Sequence, residues 1–168
     1  MENYKVVDKK ELLLEQLLEE RFKVPTIQIR YHREKYPDLP EIQFNPNGNF
    51  VDLYCAEDIV LKAGEYKLIS LGVSIKLPKG YWGQIVPRSS AFKHHGVIQS
   101  DSFGVVDTSY CGDDDIWMMP VYATRDAVIN KNERLCQFRI VKDNHFDIET
   151  VDFLSKEENR GGFGTSGK

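Results

Sequence analysis

Residues 104–113 read GVVDTSYCGD, an apolar strand-like run that ends in Asp107 and is followed three residues later by Tyr110. A carboxylate held at the end of a rigid strand is suited to general-base chemistry, because its position relative to a bound molecule is fixed. The same Asp, Ser and Gly content also suits an ordinary hairpin turn. A second stretch, PRSSAFKHHGV over 87–97, places Arg88, Ser89 and Ser90 after a strand and ahead of a short helix-compatible run closed by Gly96. Ser89 or Ser90 is expected to cap that helix and Gly96 to end it. Hydroxyls and an arginine at a helix N-terminus favour an anion, since free backbone N–H groups and the helix dipole both attract negative charge. A capped turn with a surface arginine reads from the same residues.

In RLCQFRIV (134–141), a period of two puts Cys136, Phe138 and Ile140 on one face and Gln137 and Arg139 on the other. Gln137 can then reach a ligand, while Arg134 at the mouth of the strand suits either a solvated charge or a phosphate contact. The last residues, RGGFGTSGK, carry glycines at 161, 162, 164 and 167 that leave backbone amides open to phosphate. Arg160 adds a fork-shaped cation and Phe163 an aromatic ring with no core to join; a plain glycine-rich linker has similar composition. His94 and His95 have no metal-ligand spacing to the cysteines and read as helix-end or surface residues. The acidic run Asp113–Asp115 reads as a solvated turn.

These residues need elements to position them. Residues 8–22 space Leu13, Leu14, Leu17 and Leu18 as a helical stripe with Asp8 as a candidate N-cap, the one long helix predicted. It suits packing on its own domain or a neighbouring subunit, or a dedicated partner. From about residue 26 the period changes to two. KLISLGVSIKL reads as one half-buried strand, and FVDLYCA, DIVLK, GYWGQIV, FGVV, DIWMMPVYA, RLCQFRIV and FDIETVDF as further strands. Turn signals at Ala63-Gly64, 78–80 and 130–132 separate them. Many short strands predict an all-β sandwich, jelly roll or barrel.

The 168 residues suit one domain with appendages, divided here as a helical extension over 1–25, a β domain over 26–154 and a glycine-rich arm over 155–168. No apolar run approaches a membrane span and the N-terminus has no secretory pattern, so no membrane association and a cytoplasmic location are expected. The unpaired spacing of Cys55, Cys111 and Cys136 suits reduced, structural thiols. A net charge of −4 argues against nucleic-acid binding.

Taken in order, NFVDLYCAED, PRSSAFKHHG, GVVDTSYCGD, ERLCQF and RGGFGTSG resemble the motifs of the trimeric dUTPase family in its bacterial and phage form, over residues 49–167. The resemblance implies a distorted jelly-roll barrel with a flexible C-terminal arm, assembled as a homotrimer whose active sites draw on more than one chain. It implies hydrolysis of dUTP to dUMP and pyrophosphate by water attack on the α-phosphate, which limits uracil in DNA and supplies dUMP for dTMP synthesis. Asp107 matches the carboxylate that activates the water, and Tyr110 the ring against the deoxyribose. Asp101, Gly104 and Val106 fall in the segment that reads the uracil. Arg88, Ser89, Ser90, Arg134 and Gln137 match phosphate contacts. Arg160, Phe163, Gly164, Thr165 and Ser166 match the arm that grips the terminal phosphates and closes over the base. Mg²⁺ is implied on the triphosphate, with Asp52 a possible contact through water.

The chain departs from the family pattern in three places. Asn49-Phe50-Val51-Asp52-Leu53 lacks the usual glycine before its aspartate, Arg160 abuts Gly161-Gly162, and Asp101 stands where many bacterial members have asparagine. A carboxylate there accepts hydrogen bonds without donating and could favour the amino group of cytosine. A relative of dCTP deaminase and a binding protein on the same scaffold are the competing readings.

Overall fold

A computed structural model describes residues 9–22 and 24–154. The domain division at 25 and 154, and the placement of Asp8, Arg160, Phe163, Gly164, Thr165 and Ser166, rest partly or wholly on residues outside that range. The elements are α1 (Lys9–Phe22), β1 (Gln28–Tyr31), β2 (Val51–Tyr54), β3 (Ile59–Leu61), β4 (Tyr66–Ser70), β5 (Val73–Lys76) and β6 (Tyr81–Pro87). A π-helical turn (Ala91–His95) and β7 (Val97–Gln99), β8 (Gly104–Val106), β9 (Met118–Ala123), β10 (Ala127–Ile129) and β11 (Arg134–Lys142) follow.

Every strand pairing is antiparallel. Four strands in the order β2-β11-β6-β8 form one sheet, β4-β9-β7 a second, and β1-β5 and β10-β3 two ribbons. The expected mostly β architecture is present. Strand alternation supplies its core: Met119, Val121 and Ala123 of β9 are buried while Met118 and Tyr122 on its other face are exposed. Trp117 meets Phe138 of β11 edge to face, with ring centroids 5.2 Å apart. Cys55 and Cys136 are core residues. Burial pushes the Cys55 thiol up to about 11 and raises that of Cys136 as well, so neither is poised as a thiolate. In α1, Leu13, Leu14, Leu17 and Leu18 are each about half exposed.

The structure corrects several strand assignments. The run 67–77 is not one strand: it breaks at Gly72, whose φ of 68° lies in the left-handed region, so that β4 joins β9 while β5 joins β1. A Cβ on Gly72 would stand 2.7 Å from Leu39 Cδ2 and 3.0 Å from Ala56 Cβ. Gly72→Ala is expected to lower unfolding free energy by about 2–4 kcal/mol, combining left-handed strain with overpacking. Gly80→Ala, with a φ of 82° and nothing within 4 Å, is the control for strain alone. Matching urea midpoints for the two variants would refute the packing contribution.

FDIETVDF forms no strand: Phe146, Ile148 and Phe153 are largely exposed and pair with no neighbour among the described residues. Alternation marks a face to bury, but a strand also needs a ladder partner. DIWMMPVYA becomes strand only from Met118. Three short strands, β1, β7 and β10, escaped the sequence reading; at three or four residues each they are too brief for a periodic signal.

Candidate active site

Asp107 lies one residue beyond β8, which among the described residues pairs only with β6, Gly83 facing Val106 and Ile85 facing Gly104. Close approach explains both glycines. A Cβ on Gly83 would stand 2.9 Å from the Trp117 ring, and one on Gly104 would stand 3.2 Å from Ile85 Cβ. Backbone from Asp107 turns back at once, the Tyr110 N–H donating to the Asp107 carbonyl at 3.1 Å. This turn is not the tip of a two-stranded hairpin, because β9 pairs with β4 and β7 and leaves β8 alone. It opens a loop instead. The Tyr110 hydroxyl donates to the Ile116 carbonyl at 3.1 Å, closing that loop on itself. Val106, Asp107, Tyr110, Ile116 and Trp117 line a cleft of about 390 Å³. Asp107 is exposed and its carboxylate makes no hydrogen bond or ion pair among the described residues. Asp101 is exposed too, in the tight connection to β8 where Ser102 takes a φ of 67°.

A second cluster occupies the other end of β6. Asp52 of β2 stands opposite Gln137 of β11, both on the face away from the core. The Asp52 carboxylate accepts two cations, Arg88 Nε on Oδ1 at 3.2 Å and Arg134 Nη1 on Oδ2 at 3.2 Å. Asp52, Arg88, Gln137 and Phe50 line a cleft of about 330 Å³. Across Arg88, a further cleft of about 530 Å³ is lined by Ser90, His94, His95 and Arg134. Ser89 is exposed beside them.

A β-bulge makes this cluster. Register shifts between Arg134 and Cys136, so Leu135 and Cys136 are both buried. Strict alternation would turn Arg134 to the core side with Cys136; the extra residue turns it outward to meet Asp52. The predicted split of Cys136 and Phe138 from Gln137 and Arg139 holds beyond the bulge. The serine cap does not form: Ser90 precedes the turn with αR backbone and no side-chain cap, and the element is a single π-helical turn. Gly96 does end it, with a φ of 67°.

The two clusters are far apart. Asp107 follows the partner of Gly83, whereas Arg88 lies five residues further along the β6 direction. At about 3.3 Å per residue the separation is on the order of 15–20 Å. One chain therefore does not bring the Asp107 and Arg88 side chains together.

Other contacts were not legible in the sequence. His95 is half-buried, its Nδ1 2.9 Å from the Val128 carbonyl and its Nε2 2.9 Å from Glu133 Oε2. The run Asp113–Asp115 is more than a solvated turn: the Asp115 carboxylate accepts from the Gly112 N–H at 2.7 Å and Asp114 pairs with Arg30. Buried Gln99 donates Nε2 to the Ile85 carbonyl at 3.3 Å, beneath Gly104. No group of three or more His, Cys, Asp or Glu side chains converges for a metal among the described residues. Asp52 already accepts Arg88 and Arg134 on its two oxygens, so with Gln137 it suits a hydrated cation only through bridging water, the direct ligands coming from elsewhere.

A family model described as dUTPase matches residues 48–167. The chain is 47% identical over 136 residues to the SPbeta prophage-derived deoxyuridine 5'-triphosphate nucleotidohydrolase of Bacillus subtilis, covering 79% of this chain and 95% of that protein. It is 31% identical over 145 residues to the deoxyuridine 5'-triphosphate nucleotidohydrolase of Syntrophotalea carbinolica, covering 84% and 98% of the two. Among solved structures, a mutant dUTPase of Staphylococcus bacteriophage 80alpha with dUpNHpp superposes with a TM-score of 0.69 at 19% identity, covering 85% of this chain and 99% of that one. A mutant dUTPase from phage phi11 of S. aureus, described for its coordination of a structural Mg(II) ion, gives 0.67 at 19% identity, covering 77% and 98%. Likeness at that identity establishes the fold.

Proposed function

The chain belongs to the dUTPase family, and from that premise we propose how its residues hydrolyse dUTP to dUMP and pyrophosphate. Asp107 accepts a proton from the water that attacks the α-phosphorus, and its exposed carboxylate, without a partner among the described residues, leaves both oxygens available for that water. Tyr110 lies against the deoxyribose, and its ring excludes a 2'-hydroxyl. The uracil edge is read by the backbone of Gly104 and Val106, with Asp101 beside it. Arg88, Ser89, Ser90, Arg134 and Gln137 meet the phosphates, and the arm residues Arg160, Phe163, Gly164, Thr165 and Ser166 close over the nucleotide.

The distance between Asp107 and Arg88 along β6 carries the reading that each site is assembled between chains, Asp107 and Tyr110 coming from one and the Asp52, Arg88 and Gln137 cluster from another. A homotrimer of jelly-roll subunits satisfies it. The chain divides into a helical extension over 1–25, the β domain over 26–154 and the arm over 155–168. Mg²⁺ bound with the triphosphate neutralises phosphate charge. Asp52 and Gln137 would hold it through water. No helix among the described residues is long and apolar enough to cross a membrane; we place the enzyme in the cytoplasm, where its reduced structural thiols and its nucleotide substrate belong. There it limits uracil in DNA and supplies dUMP for dTMP synthesis.

Pyrophosphate release from dUTP, dCTP, dTTP and UTP in Mg²⁺ tests the base and sugar choice. Turnover confined to dUTP is expected. Comparable release from dCTP would overturn the assignment and direct attention to Asp101, and equal release from UTP would remove Tyr110 from its role.

A further inference from the structure

The loop that carries Tyr110 is tied to the body of the protein by polar contacts that begin at a buried histidine. His32 follows β1 and is 3% exposed. Its Nε2 lies 2.8 Å from Ser74 Oγ on β5, and its Nδ1 lies 3.2 Å from Glu34 Oε1. Ser74, itself buried, donates to the Asp113 carbonyl at 3.1 Å, an oxygen that also accepts from Arg30 Nη1 at 2.9 Å. Three residues on, the Ile116 carbonyl holds the Tyr110 hydroxyl. Hydrogen bonds therefore run from the histidine ring to the Asp113 carbonyl, and three residues of backbone join that point to the carbonyl that holds the tyrosine.

Counting protons shows which form of the ring satisfies both of its contacts at once. A serine hydroxyl has one proton, and Ser74 commits it to the Asp113 carbonyl, which can only accept. Nε2 must therefore donate to Oγ. The Glu34 carboxylate is held below the usual range chiefly by a hydrogen bond from its own backbone N–H, with His32 and Arg30 adding to it, and an ionised carboxylate also only accepts. Nδ1 must then donate as well. Two ring donors exist together only in the imidazolium form. A neutral ring has one proton for its two contacts: kept on Nδ1 by the ionised Glu34, it leaves Nε2 an acceptor that competes with the Asp113 carbonyl for the serine proton, whereas on Nε2 it would leave the Ser74 bond as it is.

The charged groups facing this ring are Glu34 and Arg30 from its own segment, with Asp114 paired to Arg30 from the loop. β5 contributes only the neutral Ser74. Arg30 keeps its bond to the Asp113 carbonyl in either state, so loss of the proton loosens the loop without releasing it.

We propose that His32 is a positioning residue for the nucleotide: as imidazolium it points the Ser74 hydroxyl at the Asp113 carbonyl and so holds the loop that presents Tyr110. The proposal rests on the dUTPase reading, in which Tyr110 lies against the sugar. Affinity for dUTP then falls as His32 loses its proton, while the chemical step is little changed.

The test measures KM and kcat for dUTP against pH in the wild type, Ser74→Ala and Glu34→Gln, with the ring ¹⁵N shifts of His32 followed over the same range in the wild type. Groups outside this network, the substrate phosphates among them, are common to all three proteins, so their contribution cancels in ratios of variant to wild type. Loss of one neutral hydrogen bond corresponds to roughly a two- to tenfold rise in KM. The expected result is that the ratio of KM in Ser74→Ala to that in the wild type starts high and falls toward one as pH rises, with its midpoint where the ring titrates. Glu34→Gln should shift that wild-type limb to lower pH. A ratio that stays flat while the ring titrates overturns the proposal, as does a ring that is neutral wherever KM is lowest. Should Ser74→Ala fail to fold, the Glu34→Gln limb and the ring shifts still decide. Failure of the wild type to hydrolyse dUTP would count against the dUTPase reading, which the nucleotide panel distinguishes independently.

Discussion

Asp107→Asn lowers kcat for dUTP by about 10²–10⁴-fold, the range for removing a positioned general base, and leaves nucleotide binding within a few-fold. Asparagine keeps the shape of the side chain and loses the ability to take a proton. The carboxylate stands exposed past β8 without a hydrogen bond or ion pair among the described residues, so the substitution removes no structural contact. Stability should stay within about 0.5 kcal/mol of wild type, as for surface positions generally. Pyrophosphate release and a thermal melt read both quantities. A fall in kcat below tenfold would mean that another group activates the water.

Two inactive chains mixed together regain activity. In the proposed site, Arg88→Ala removes a phosphate contact beyond one end of β6, and Asp107→Asn removes the base near the other. If a site takes Asp107 from one chain and Arg88 from another, each defective chain still donates the intact residue its neighbour lacks. With equal amounts and random co-assembly about a quarter of sites carry both intact residues, as expected for heterologous contacts in a closed ring. Co-expressed variants should therefore recover about a quarter of wild-type turnover per site, well above either variant alone. No recovery in verified mixed assemblies would place both residues in one chain's site and contradict the spacing along β6.

The candidate site was legible in the sequence where a residue's chemistry depends on its immediate neighbours. Asp107 at the end of an apolar run, and Gln137 on the outward face of β11, could be read from alternation alone. Arg134 could not. Its direction depends on one extra residue in β11 relative to β2, and register between strands eighty residues apart leaves no local trace. Ser89 and Ser90 are good cap residues, yet the turn they precede is π-helical and uses no side-chain cap. The supposed hairpin failed for a related reason: turn chemistry shows where the backbone reverses, while the partner of the next strand is decided by the whole sheet. FDIETVDF alternates as well as β9 does, but only β9 lies between two strands. His32 gave no signal, since its buried partner Ser74 is 42 residues away and meets it only through the pairing of β1 with β5.

Gly72 has a consequence for how the molecule comes apart. Around it the Leu71 N–H donates to the Trp117 carbonyl, the Trp117 N–H to the Val73 carbonyl, and the His32 N–H to the carbonyl of Gly72 itself. One residue thus joins the sheet of β4, β9 and β7 to the ribbon of β1 and β5, with the chain ahead of β9 laced across the junction. Opening either side breaks bonds that the other side needs, so the two behave as one cooperative unit rather than as separate foldons. The ribbon that bears on the Tyr110 loop cannot melt by itself, and fluctuations of that loop are confined to motions the intact framework allows.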